Sequence, residues 1–190
     1  MDASLILVQR IQAGDEAAWE PLYRRYRDQL LLSIRLRLGA ALRSRLESED
    51  ILHSVFREAL SDLHRFTPEN PGSLNRYLHA CVLNKIRSKA DYYGARKRQG
   101  EVPLTDSMAD DLAAPATAGL TYGDRDRFES LERAIKRLPE SMREVVLLRR
   151  IEDLTNEEAA RVMGKSPEAA SKLYNRALAR LAVMLRGIAS

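Results

Sequence analysis

The sequence predicts an all-α protein: two small helical domains joined by a flexible linker, the C-terminal one a helix-turn-helix. Apolar residues recur at helical spacing through most of the chain, and no stretch alternates with period two, so no sheet is expected. The periodicity fails between Gly100 and Asp126, where small, acidic and proline residues take over. Charge divides the chain in the same way. Residues 1–99 carry 17 Lys/Arg against 12 Asp/Glu, residues 100–127 carry 2 against 6, and residues 128–190 carry 12 against 9. Two basic blocks on an acidic tether suggest two anion-facing modules. The expected division is therefore 1–99, a linker at 100–127, and 128–190, and 190 residues are enough for two domains.

The first helix, about Ser4 to Ala13, sets Leu5, Val8 and Ile11 on one side and stops at Gly14. Asp15 can cap a second, with Trp19, Leu22, Tyr23, Tyr26, Leu30 and Ile34 in register and Gly39 as its stop. Ser48 can cap a third, whose stripe Ile51, Leu52, Val55, Phe56, Ala59, Leu60 and Leu63 is the cleanest in the chain. Thr67 to Gly72 reads as a loop. Ser73 can then cap a helix running to about Tyr93 through Leu74, Tyr77, Leu78, Cys81, Val82 and Ile86. Order returns with Phe128, Leu131, Ile135 and Leu138. Pro139 suits the first turn of a helix using Met142, Val145, Val146 and Leu148.

The C-terminal stretch is the most informative. Thr155 and Glu158 form a capping box opening a short helix (Ala159, Ala160, Val162, Met163) that ends at Gly164. Ser166-Pro167-Glu168 then supplies a cap, a first-turn proline and an acid near the positive helix end. The helix that follows buries Ala170, Leu173, Tyr174, Ala177, Leu181 and Leu185. Two helices joined by a tight glycine turn are a helix-turn-helix.

Composition narrows the function. The chain is 45% hydrophobic and 31% charged, a soluble balance, and no apolar run approaches the ~20 residues of a membrane span. The N-terminus lacks a signal-peptide pattern, and the single Cys81 rules out an internal disulfide, so a cytoplasmic location is expected. His53, His64 and His79 have no metal-ligand spacing. No phosphate loop or nucleophile set emerges. The acidic pairs Glu49-Asp50 and Glu157-Glu158 sit in helix first turns, where the helix dipole accounts for them. No catalytic residue, cofactor, metal or small-molecule substrate is expected.

Two constellations point to nucleic acid. On the last helix, Glu168, Ser171, Lys172, Asn175 and Ala179 face away from the buried stripe, with Arg176 at its flank; these groups can read base edges and grip phosphates. Residues 84–98 hold six cations and one acid, Asn84, Lys85 and Lys89 among them, with the adjacent Tyr92 and Tyr93 able to stack on an unpaired base. The Ser48 helix instead is acidic through Glu49, Asp50, Glu58 and Asp62, which suits a protein surface.

Three motifs in order carry a family resemblance. Ser48-Glu49-Asp50-Ile51-Leu52-His53-Ser54-Val55-Phe56, ending at Arg65-Phe66, resembles the polymerase-binding helix of extracytoplasmic-function sigma factors, with His53 and Ser54 in place of the usual Gln and Glu. Leu74 to Arg98 resembles their promoter-opening segment, with Asn84 at the family's Asn, Tyr77 for the usual Trp and Ser88 for the usual Asp. Leu138-Pro139 through Leu181 resembles their C-terminal promoter-binding module. The match covers roughly residues 5–99 and 128–186. The resemblance implies that Glu49, Asp50, Ile51, His53, Ser54 and Phe56 meet core RNA polymerase. Asn84, Lys85 and Lys89 would meet the minus-ten element, and Glu168, Ser171, Lys172, Asn175 and Arg176 the minus-thirty-five element. Partners would then be core RNA polymerase and promoter DNA, with an anti-sigma factor left open. Alternatives are a stand-alone helix-turn-helix regulator and an anti-sigma-like adaptor that binds no DNA.

Overall fold

Buried apolar side chains on the helices of the first hundred residues close the first of two cores. The computed structural model describes residues 3–68, 72–98 and 122–186, and these contain helices and no strand. Most of the expected linker, through residue 121, and Glu69, Asn70 and Pro71 of the expected loop lie outside the described residues. The chain divides into two units, one on each side of that stretch.

The first unit holds α1 (Ala3–Gln12), a 3-10 turn at Glu16–Ala18, α2 (Trp19–Arg37), the one-turn α3 (Ala40–Arg43), α4 (Ser48–Leu63) and α5 (Ser73–Arg98). Gly14, at φ +88°, ends α1: Gly14 N–H donates to Ile11 and Asp15 N–H to Arg10. Asp15 then accepts from Ala17 N–H, so the expected cap serves the 3-10 turn that leads into α2. Helices α2, α4 and α5 pack on one another through Leu22, Leu30, Ile34, Ile51, Leu52, Val55, Phe56, Leu63, Leu74, Leu78 and Val82. The Tyr26 hydroxyl donates to Ser4 Oγ at 2.8 Å, and the Gln12 amide donates to the carbonyls of Leu63 and Phe66, tying α1 to α2 and to the end of α4. Local details differ from expectation at several points. The cap position of α4 is Glu47, with no side-chain bond, and Ser48 is its first residue. Helix α3 carries too few residues to show a period. Helix α5 reaches Arg98 rather than Tyr93, because nothing between them breaks a helix except the single Gly94.

The second unit holds α6 (Tyr122–Lys136), α7 (Glu140–Val146), a wider π-type turn at Leu147–Ile151, α8 (Asn156–Val162) and α9 (Pro167–Arg186). Helix α6 starts six residues before the expected boundary at 128, so 122–127 belong to the helix and not to a linker. In the π-type turn Glu152 N–H donates to Leu147 O at 2.9 Å, one residue beyond α-helical spacing. Val145, Val146, Leu147, Leu148 and Ile151 are all buried around it. Phe128, Ile135, Leu138, Ala159, Ala160, Ala170, Ala177 and Leu181 complete the core. Leu173, Tyr174 and Leu185, expected inside, are only half-buried.

Candidate nucleic-acid interface

Helices α8 and α9 are fixed by local bonds at every end that bears on their crossing. The capping box at the start of α8 is complete: Glu158 N–H donates to Thr155 Oγ1 and Thr155 N–H to Glu158 Oε2. Its far end is a Schellman motif, in which Lys165 N–H donates to Ala160 and Gly164 N–H to Arg161. Gly164 sits at φ +62°, a left-handed conformation that glycine adopts at least cost. Ser166 Oγ accepts from Ala169 N–H to cap α9. The Asn156 side chain donates to the Pro167 carbonyl at 2.8 Å, joining the start of α8 to the start of α9.

One contributor was missed from the sequence. Arg149 donates to Asn156 Oδ1 at 3.0 Å and lays its guanidinium 4.7 Å from the centre of the Tyr174 ring. This cation–π contact connects the π-type turn to α9. Tyr174 hinted at it, since a tyrosine in a buried stripe carries a polar end; the turn that aims Arg149 leaves no periodic signal.

On the outer side of α9, Glu168, Lys172, Asn175 and Arg176 are exposed and Ser171 is half-buried. None of Glu168, Lys172, Asn175 and Arg176 is tied to another described residue. The five expected residues thus share one accessible region within the first three turns. They offer an acceptor, a hydroxyl, an amide and two cations.

On α5 the expected set divides. Asn84 is exposed and Lys89 half-buried. Lys85 is half-buried and donates to Glu58 Oε1 of α4. Tyr77 packs on Phe66 with ring centres 5.3 Å apart. Burial, together with Cys81 and its hydrogen bond, pushes the Tyr77 phenol up to about 12. Tyr77 is half-buried at the margin of the core.

On α4, Ile51 and Phe56 are 2% and 6% exposed, so neither can touch a partner directly. Both face α2 and the core, where Phe56 meets Tyr23 with ring centres 4.7 Å apart. Glu49 is half-buried and its Oε1 accepts from Arg27 at 2.7 Å. Burial raises its carboxyl above the ordinary range despite the attraction of Arg27. Asp50 and His53 are exposed and Ser54 half-buried, with His53 Nε2 lying 3.4 Å from the Tyr23 hydroxyl. The accessible edge is therefore Asp50, His53 and Ser54, carried on a frame of Ile51 and Phe56.

Residues 128–181 match the family described as Sigma-70, region 4, which spans most of α6 and all of the helix-turn-helix as far as Leu181. Over 179 residues the chain is 30% identical to the ECF RNA polymerase sigma factor BldN of Streptomyces coelicolor, covering 94% of this chain and 64% of BldN. The chain is similar to extracytoplasmic-function sigma factors along most of its length. It is also 27% identical over 166 residues to the RNA polymerase sigma-H factor of Pseudomonas aeruginosa, covering 83% of this chain and 80% of that one. The solved structure of CnrH, in complex with the cytosolic domain of CnrY, shares the sigma-factor fold with it. That match has a TM-score of 0.52 and 22% identity, and covers 98% and 99% of the two chains. Among sigma factors the lengths differ: this chain spans about two thirds of BldN, 64%, and four fifths of the sigma-H factor.

Proposed function

We propose that this chain is a sigma factor that binds core RNA polymerase and directs promoter-specific initiation by recognising and opening promoter DNA. The observation that carries the reading is the accessible α9 face, presented by a helix-turn-helix locked at both helix starts, within the stretch that matches region 4. In this reading residues 128–190, with α6 extended back to Tyr122, bind the minus-thirty-five element as duplex. Residues 1–99 dock on polymerase through the Asp50, His53 and Ser54 edge and open the minus-ten element along α5, and residues between them tether the two. The chain supplies binding energy and selectivity, and bond-making is left to the polymerase. It acts in the cytoplasm, and a protein covering either surface, as an anti-sigma factor would, holds it inactive. Among the described residues no helix is long and apolar enough to cross a membrane and no His, Cys, Asp and Glu group is arranged to hold a metal.

The test is transcription with purified core polymerase on fragmented genomic DNA. Defined start sites that need this chain are expected. Reversing Asp50 to Lys should weaken co-purification with core enzyme while circular dichroism stays that of the unaltered chain. A stand-alone regulator would instead bind palindromic duplex without polymerase and yield no start sites.

A further inference from the structure

The buried apolar stripe of α4 begins at Ile51, so Ser48, Glu49 and Asp50 at its start bring no apolar side chain to the core. The cap position, Glu47, makes no side-chain bond either. Yet this turn carries Asp50, the exposed acid of the docking edge. A polar tie to α2 holds it. Arg27 on α2 is buried, and its guanidinium is a planar fork with two targets. Nη1 donates to Asp28 on its own helix at 2.8 Å, and Nη2 donates to Glu49 of α4 at 2.7 Å. Asp28 thereby aims the fork, and Glu49 is received in one place. The Arg27 and Glu49 side chains are 10% and 18% exposed, which keeps salt from screening the pair. One turn on, His53 Nε2 lies 3.4 Å from the Tyr23 hydroxyl, and Tyr23 is hydrogen-bonded to Arg27 in turn. Glu49 and His53 are four residues apart on one face, and Asp50 and Ser54, each the next residue, run beside them. The α2 side chains therefore grip α4 along the line that borders its accessible edge.

We infer that Arg27 is a positioning residue for polymerase docking: it seats the first turn of α4 so that Asp50 is offered in one geometry. Glu49 then acts through Arg27 and not by meeting the polymerase. The inference rests on the docking reading and adds α2 to the docking machinery. A buried ion pair contributes little to stability, because the cost of taking two charges out of water offsets most of their attraction. What it does supply is direction. Apolar contact between α2 and α4 would hold the helices together as firmly, but it has no preferred direction and would leave the first turn free to rotate. Direct contact between Glu49 and the polymerase is the competing account.

The experiment measures association of the full chain with purified core polymerase, beside circular dichroism and urea unfolding. The double variant Arg27→Met with Glu49→Leu removes both charges and leaves neither one buried alone. It should keep the unfolding midpoint of the first unit at or above the unaltered value and bind core polymerase about tenfold more weakly. Exchanging the pair, Arg27→Glu with Glu49→Arg, should recover most of that loss. Arg27→Lys keeps the charge but cannot reach Asp28 and Glu49 together, and should bind about threefold more weakly. Unaltered binding by the double variant overturns the inference. So does a loss caused by Glu49→Leu alone with none from Arg27→Met, which would mark a direct contact. A loss seen only in variants whose circular dichroism has changed also overturns it. If the double variant unfolds, Arg27→Lys decides, and unaltered binding by it overturns the inference. If the unaltered chain does not associate with core polymerase, the docking reading fails and the inference with it.

Discussion

Asn175 and Arg176 are neighbours with different expected duties. Both are exposed on α9 and neither is tied down within its unit. A side-chain amide can bond an adenine edge in two places, whereas a flexible cation at the flank suits phosphate. Asn175→Ala should cost about 1–3 kcal/mol on the best promoter and relax preference at one base position. Arg176→Ala should weaken all sequences alike and lower the salt slope by roughly 0.9. Binding across a promoter library at several salt concentrations separates the two. Tyr77 yields a prediction of another kind. Its phenol is raised from 10.0 to about 12, first by burial and then by Cys81. The folded state therefore holds this proton more tightly than the unfolded chain does. The stabilisation is complete below pH 10 and is lost as pH rises from 10 to about 12. Tyr77→Phe should remove that component, so urea unfolding in this window should show a shallower pH dependence than in the unaltered chain.

Helix α8 is short enough that its ends decide whether it forms. Its seven residues bury Ala159 and Ala160, small groups that permit close crossing but contribute little apolar area. The caps therefore carry a large share of its stability. Thr155→Ala should destabilise the second unit by about 1 kcal/mol, through loss of the bond to Glu158 N–H. Gly164→Ala should cost about 1–2 kcal/mol. Nothing lies within 4 Å of a methyl group built there, so that cost is conformational and not steric. The two changes sit at opposite ends of the helix and should add within about 0.5 kcal/mol, measured by urea unfolding. Helix α4 is the contrast. It has no side-chain cap but a long buried stripe, so packing holds it and its first turn is left for Asp50 to present. Asp50→Lys forfeits only about 0.3–1 kcal/mol of helix-dipole interaction, which is why lost polymerase binding can be read without lost fold.

At the level of the whole molecule, each unit closes its own core and should unfold as its own cooperative step. Leu52 is fully buried between α2, α4 and α5. Leu52→Ala should cost the first unit about 2–5 kcal/mol and leave the transition of the second unchanged. Residues 122–190 expressed alone should melt where the second unit melts in the full chain. A single shared transition that moves with Leu52→Ala would show the units to be coupled.

The all-α class, the stripe of α4, the capping box, the glycine turn and the outer residues of α9 were all legible in the sequence. Each is a local matter: a period of 3.6, a cap three residues from its partner, a turn that needs glycine. Where α5 would end and α6 begin was less legible, since a weakly amphipathic helix end has no apolar signal to announce it. The rest depended on tertiary structure because it joins residues far apart in the chain. The sequence placed Ile51 and Phe56 in one motif with Asp50, but packing on α2 sends them inward and leaves Asp50 outside. Lys85 carries no local sign of its contact with Glu58 on the neighbouring helix. Arg45 and Tyr93, and likewise Arg149 and Tyr174, share no local pattern; only the folded chain brings each cation over its ring. Charge and type are written residue by residue, but whether a charge is spent inside the protein or left for a partner is decided by what the fold sets beside it.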